Sequence, residues 1–320
     1  ANTYIQPGLN QPYLSFEDML YEVFIKHKYF MITKPTNYVG PQLRVIIKVT
    51  RECNLDCPYC YDRVTRNTLG NPEVLDLKYI EHLCEMATKS RRVVHFQFHG
   101  GEPLLADYEW YRAILEDIIP KYPWIEAHFT CQSNLLNATD EIVELFAKHN
   151  VSMGSSWNIL NPKLRERLPD NPNRAVYKDS KSRVQEINAK YQDLLGYKVG
   201  VIDVLTNEEA EFLIKSYEAY KQEGMHAVFN FIYIVQTMKD DVKSMTFTGK
   251  DFTKLRKHVG DFAEHILNDE KDPYDERFIN NFIEIVCGLG SGVCTNTRFS
   301  EENYLGIQSD GTLIPCDTPA

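Results

Sequence analysis

Residues 43–60 read LRVIIKVTRECNLDCPYC. The first part, Leu43–Val49, is apolar and β-branched, the composition of a buried strand. The second part sets Cys53, Cys57 and Cys60 in one short loop directly after that strand, with the spacing C-x3-C-x2-C. Three thiolates from one tight loop can hold three irons of a 4Fe-4S cubane. The fourth iron then keeps a coordination position open for a substrate or cosubstrate. A structural zinc site wants four protein ligands, usually in spaced pairs, and no fourth Cys or His follows this loop closely. Pro58 and the polar neighbours argue against three ordinary core cysteines.

Outward from this loop, strand-like and helix-like segments alternate. Val93–Phe98, Ile125–Gln132, Val151–Ser156, Lys198–Leu205 and Ala227–Val235 read as strands. Between them, Pro72–Lys89, Tyr108–Ile119, Thr139–His149, Ser180–Leu195 and Glu208–Glu223 read as helices. Thr139 suits an N-cap, and Gly224 is a stop signal. Such a succession of βα units predicts an α/β fold, a parallel sheet with its helices outside. Periodicity does not distinguish an open sheet from a closed barrel. Past residue 240 the pattern changes. Asp251–Leu267 and Glu276–Val286 read as helices, and Tyr304–Gln308, the turn Ser309-Asp310-Gly311 and Thr312–Ile314 read as a hairpin. Ahead of the first strand, Ser15–His27 reads as a helix that covers the barrel bottom or meets a partner.

A second motif follows the second strand: His99-Gly100-Gly101-Glu102-Pro103. Paired glycines allow a close backbone approach and unusual dihedrals. The cysteine triplet, with Tyr59 as the aromatic before its last cysteine, resembles the radical S-adenosylmethionine (SAM) motif. Gly100–Pro103 resembles the GGEP motif of the same superfamily, whose members contact the SAM amino group there. The resemblance implies a partial (β/α)6 barrel over 43–240 and SAM chelated to the open iron. It further implies reductive cleavage to a 5′-deoxyadenosyl radical. Gln132-Ser133-Asn134 resembles a Q-T-N-G segment of peptide-modifying members, with Leu135 in place of the glycine; Ser133 and Asn134 are expected near SAM. Ser156-Trp157-Asn158-Ile159 stands where those members carry S-L-D-G, an amide replacing the acid. Either Arg174 or Arg183 meets the SAM carboxylate through a charge-assisted contact, or both are surface arginines.

Beyond a helical linker, 241–286, residues 287–320 resemble the opening of a SPASM or twitch domain. Cys294 and Cys316, with Gly311-Thr312-Leu313-Ile314-Pro315 leading to the latter, are the expected ligands of an auxiliary iron–sulfur cluster. Cys287 is a further ligand or a buried thiol. A full domain of that kind needs more cysteines, so the auxiliary site is expected to be cut short, continued elsewhere or degenerate. Asp317, directly after Cys316, stands where the resemblance to the anaerobic sulfatase-maturase branch implies a general base; it is that base or else a turn or cap residue. Cys84 and Cys131 are expected in the core, although Cys131 shares a face with Ser133.

The chain has 320 residues, 43% hydrophobic composition and a formal net charge of −10. An acidic chain is a poor partner for phosphate backbones, so no nucleic acid is expected. No apolar run approaches bilayer length and no signal peptide is evident, so no membrane association and a cytoplasmic location are expected. The expected activity is hydrogen abstraction from a residue of a ribosomally made precursor peptide. Anaerobic sulfatase maturation to formylglycine, an RNA-modifying enzyme and an idle peptide-binding scaffold are the alternatives. The expected partners are a peptide or protein substrate and an electron donor such as flavodoxin or ferredoxin. Residues 1–42, an N-terminal helical extension, are too short for a winged-helix leader-binding domain, so a separate recognition protein or another binding mode is expected.

Overall fold

The computed structural model describes residues 43–60, 62, 74–90, 93–165, 178–232, 243–246, 251–267 and 304–314. The expected helices Ser15–His27 and Glu276–Val286, and the candidates Arg174, Cys287, Cys294, Cys316 and Asp317, lie outside these residues.

Six parallel strands follow one another in space as in sequence: β1 Leu43–Thr50, β2 Val93–Gly100, β3 Glu126–Ser133, β4 Ser152–Ser156, β5 Gly200–Leu205 and β6 Ala227–Phe231. Among the described residues, five helices lie between them: α1 Leu77–Ser90, α2 Tyr108–Arg112, α3 Asp140–Lys148, α4 Lys178–Leu195 and α5 Leu213–Gln222. A sixth, α6, spans Phe252–Leu267. Thr139 caps α3 as its sequence suggests, its Oγ1 accepting from the Ile142 amide at 3.3 Å. The helix expected over Tyr108–Ile119 is composite: after Arg112 it continues as a π-helical stretch, Ala113–Ile118.

Period-two alternation divides each strand between two faces. Leu43, Val45, Ile47 and Val49 join Val94, Phe96, Phe98, Phe129 and Cys131 in the main core, with Leu83, Tyr111, Ile114 and Phe146 from the helical layer. Cys131 is therefore a buried core thiol, and burial lifts its pKa well above the ordinary value. Cys84 behaves alike, pushed up to about 12, chiefly by burial. The other face of β1 carries Arg44, Ile46 and Lys48, in register with His95, Gln97 and His99 of β2.

The sheet does not end at β1. The predicted hairpin forms as β7 Tyr304–Ile307 and β8 Leu313–Ile314, and β7 pairs parallel with β1. The order is β6-β5-β4-β3-β2-β1-β7-β8, an open sheet. Gly311 sits at the hairpin turn with φ +86°, and a Cβ there would lie 2.2 Å from the Tyr79 ring of α1. Asp310 beside it pairs with Arg51 at 3.3 Å. Among the described residues, no helix is long and apolar enough to cross a membrane.

Candidate active site

The cysteine loop that follows β1 is met by residues at the ends of β2, β3 and β4. Cys53, Cys57 and Cys60 are each partly exposed. The loop is tightly wound: the Cys60 amide donates to the Cys57 carbonyl at 3.1 Å, and the Leu55 amide points to Cys53 Sγ at 3.4 Å. Among the described residues, no three His, Cys, Asp or Glu side chains are grouped to hold one metal ion. A cubane makes no such demand, because each thiolate takes its own iron. Three accessible thiols on one loop therefore fit a 4Fe-4S cluster better than a single zinc ion.

The paired glycines explain how this loop is seated. Gly100 has φ +116°, and a Cβ on it would meet the Thr50 carbonyl at 2.6 Å. A Cβ on Gly101 would fall 1.9 Å from the Glu52 carbonyl. The Gly101 amide donates to Thr50 O at 2.8 Å and the Glu102 amide to Glu52 O at 2.7 Å. The close approach that needs glycine is thus made to the chain leading into Cys53.

Glu102 is buried and turns its carboxylate into the protein. It accepts from Ser133 Oγ at 2.6 Å and from the amides of Leu104 and Asn134 at 2.9 and 2.8 Å. Burial raises its pKa; these bonds and the nearby Arg165 oppose that rise. Pro103 opens a short 3-10 turn, and its carbonyl accepts from Tyr111 at 2.7 Å. Asn134 also donates to Asn54 at 2.6 Å, and Asn54 donates to Asn137 at 2.6 Å. Gly100, Gly101, Glu102, Pro103, Ser133 and Asn134 are therefore brought together, clasping the cysteine loop from two neighbouring strand ends. On the opposite face Gln132 donates to Ser156 Oγ at 2.8 Å and lies over Gly154.

Tyr59 extends the site toward β4 and β5. Burial pushes its phenol pKa well above the ordinary value, so it is a neutral donor. It donates to Asn158 Oδ1 at 3.0 Å. Arg165 donates to the same oxygen at 3.1 Å and is itself 4% exposed, a guanidinium buried at the site. Arg165 was not singled out in the sequence, because nothing local distinguishes it within Lys163-Leu164-Arg165-Glu166-Arg167. Arg183 is engaged elsewhere, with the Ala138 carbonyl and with Glu186. Lys48, 1% exposed on β1, pairs with Asp62 at 2.9 Å, just past Cys60.

The Radical SAM superfamily matches residues 47–247, spanning both motifs, the second half of β1 and the whole of β2 to β6. The chain belongs to the radical SAM superfamily, whose enzymes use a 4Fe-4S cluster and SAM. An uncharacterised protein of Methanothermobacter thermautotrophicus is 37% identical over 115 residues, covering 35% of this chain and 41% of that protein. The chain thus spans less than half of that relative. The cysteine-type anaerobic sulfatase-maturating enzyme of Clostridium novyi is 23% identical over 290 residues, covering 86% of this chain and 73% of the enzyme. Native anSMEcpe with bound AdoMet and Cp18Cys peptide superposes with a TM-score of 0.69 at 19% identity, covering 88% of this chain and 75% of that one. Streptococcus suis SuiB bound to precursor peptide SuiA gives a TM-score of 0.54 at 17% identity, covering 99% of this chain and 68% of that one. At these structural identities the likeness is one of fold.

Proposed function

We propose that this chain is a peptide- or protein-modifying radical SAM enzyme, with Cys53, Cys57 and Cys60 as ligands of the SAM-binding cluster. The observation that carries the reading is the clasp of Gly100–Pro103 and Asn134 around the cysteine loop. It leaves the three thiols accessible at the strand ends, the position where barrel enzymes assemble their sites. Cys53, Cys57 and Cys60 would hold the cluster, and the bound cluster and SAM would supply hydrogen-abstraction chemistry, with one electron from the reduced cluster converting SAM, together with a substrate hydrogen atom, to methionine and 5′-deoxyadenosine. The protein's part is to hold the loop, present buried donors such as Arg165 to an anionic group, and exclude water. A peptide substrate is favoured because anSMEcpe and SuiB, which share the fold, are described with bound peptides. Cys294, Cys316 and Cys287 are proposed ligands of an auxiliary cluster and Asp317 a proposed base. A flavodoxin or ferredoxin is the proposed electron donor, and a separate leader-recognition protein a proposed partner.

Sulfatase maturation is the second reading, favoured by the Clostridium novyi relative. The test is anaerobic reconstitution with iron and sulfide, followed by SAM, reductant and two substrate sets, precursor peptides and sulfatase-derived Cys or Ser peptides. Wild-type protein is expected to form 5′-deoxyadenosine and to change the mass of one peptide set, whereas Cys57→Ala forms none. Equal 5′-deoxyadenosine from Cys57→Ala would sink the cluster assignment. Turnover confined to sulfatase peptides would select the second reading.

A further inference from the structure

Asn158 is 1% exposed, and both ends of its amide are in use. Its oxygen accepts from Tyr59 and from Arg165. Its nitrogen donates to Asp203 Oδ1 at 2.7 Å and to the Val204 carbonyl at 2.8 Å. Arg165 Nε can only donate and the Val204 carbonyl can only accept, so the amide has one permitted orientation. Of its two acceptor anchors, one is backbone. The other, Asp203 on β5, is the one that a side-chain substitution removes.

Asp203 is 2% exposed and lies on the helix-facing side of β5, in phase with Val201 and Leu205. A carboxyl among apolar neighbours is costly unless its bonds are complete. The second oxygen, Oδ2, lies 2.9 Å from the Tyr220 hydroxyl of α5. That hydroxyl also lies 2.9 Å from the Trp157 carbonyl and accepts from the Ile159 amide at 3.1 Å. The tyrosine proton can therefore go to Trp157 when Asp203 holds a proton of its own, and to Asp203 when it does not. In either state Oδ1 remains an acceptor for Asn158. Core packing alone does not call for a carboxyl here; the anchoring of Asn158 does.

We propose that Asp203 is a positioning residue for SAM binding: through Asn158 it fixes the Tyr59 hydroxyl and the Arg165 guanidinium beside the cysteine loop. Removing it leaves one Asn158 N–H buried and unsatisfied, and the amide's hold on Tyr59 and Arg165 slackens. The inference rests on SAM binding by this chain and not on the nature of the substrate, so no peptide enters its test.

The full chain, reconstituted with iron and sulfide and then reduced, is titrated with SAM while the cluster's EPR spectrum is followed. Iron content and thermal midpoint are recorded for every variant. Asp203→Leu is expected to raise the SAM titration midpoint about tenfold, the equivalent of one lost buried hydrogen bond. Asp203→Asn keeps an acceptor toward Asn158 and is expected to restore the midpoint to within about threefold of wild type. In a Tyr59→Phe background, Asp203→Leu is expected to add little, because both act on one amide. Should Asp203→Leu fail to fold, Asp203→Ala, which removes the acceptor without adding bulk, goes through the same cycle. A folded, cluster-loaded variant without the acceptor that titrates at the wild-type midpoint overturns the proposal. So does full additivity with Tyr59→Phe, the outcome expected of a residue that acts only through packing.

Discussion

Leu135 holds φ +62° while completely buried, two properties that pull against each other. A left-handed conformation costs a non-glycine residue roughly 1–2 kcal/mol. A glycine here, as in the Q-T-N-G segment that Gln132–Leu135 resembles, would avoid that cost. Removing a buried leucine side chain, however, costs about 2–5 kcal/mol. The packing loss is the larger, so Leu135→Gly is expected to destabilise the protein by roughly 1–3 kcal/mol in urea denaturation. Unchanged or increased stability would mean that Leu135 contributes little to the core. Asn158 teaches the complementary lesson. From sequence it reads as an acid lost; in the fold its amide is required, because only an amide can accept from Tyr59 and Arg165 while donating to Asp203 and Val204.

At the scale of elements, the end of β2 and the exit of β1 act as one unit. The Gly100–Glu102 backbone continues the ladder onto Thr50 and Glu52, and Glu102 then reaches across to the end of β3. Gly101→Ala would drive a Cβ into the Glu52 carbonyl, where backbone rather than a flexible side chain must give way. It is expected to reduce reconstituted iron to well under half of wild type, while far-UV circular dichroism stays close to native. Full iron loading in that variant would show that the seat can shift without cost. The hairpin β7–β8 is held from the same side, by Gly311 against Tyr79 and by Asp310 on Arg51, just ahead of Cys53. Asp310 is about half exposed, so the ion pair is worth little, on the order of 0–1 kcal/mol, and the packing of the turn is the larger tie.

For the whole molecule, the buried carboxyl of Asp203 links stability to pH. Its pKa is pushed up to about 7, mainly by burial and further by Glu209, against the Tyr220 hydrogen bond and the charge of Arg165. In the unfolded chain an aspartate titrates near about 3.9. Between these values the folded state holds a proton that the unfolded state has released. The group's contribution is therefore fully present at low pH and is lost as pH rises through about 7. Its slope approaches about 1.4 kcal/mol per pH unit within that window. Wild-type apo-protein is expected to lose thermal stability from this group between about pH 4 and 7, and Asp203→Asn to show a flatter profile there. Parallel profiles for the two proteins would contradict the assigned protonation.

The sequence alone specified the parallel α/β order, the cysteine triplet and the GGEP loop. Those features are local: apolar runs of strand length, ligands within eight consecutive positions, and glycines whose need is a backbone one. Chain folding was needed to show what the glycines approach, that the C-terminal hairpin extends the sheet along β1, and that Arg165 is buried rather than solvated. It also joined Tyr59 to Asp203, which stand 144 positions apart in the chain (203 − 59). No periodicity announces such a pairing, because a buried polar network depends on which donors and acceptors are left facing one another once water has been excluded.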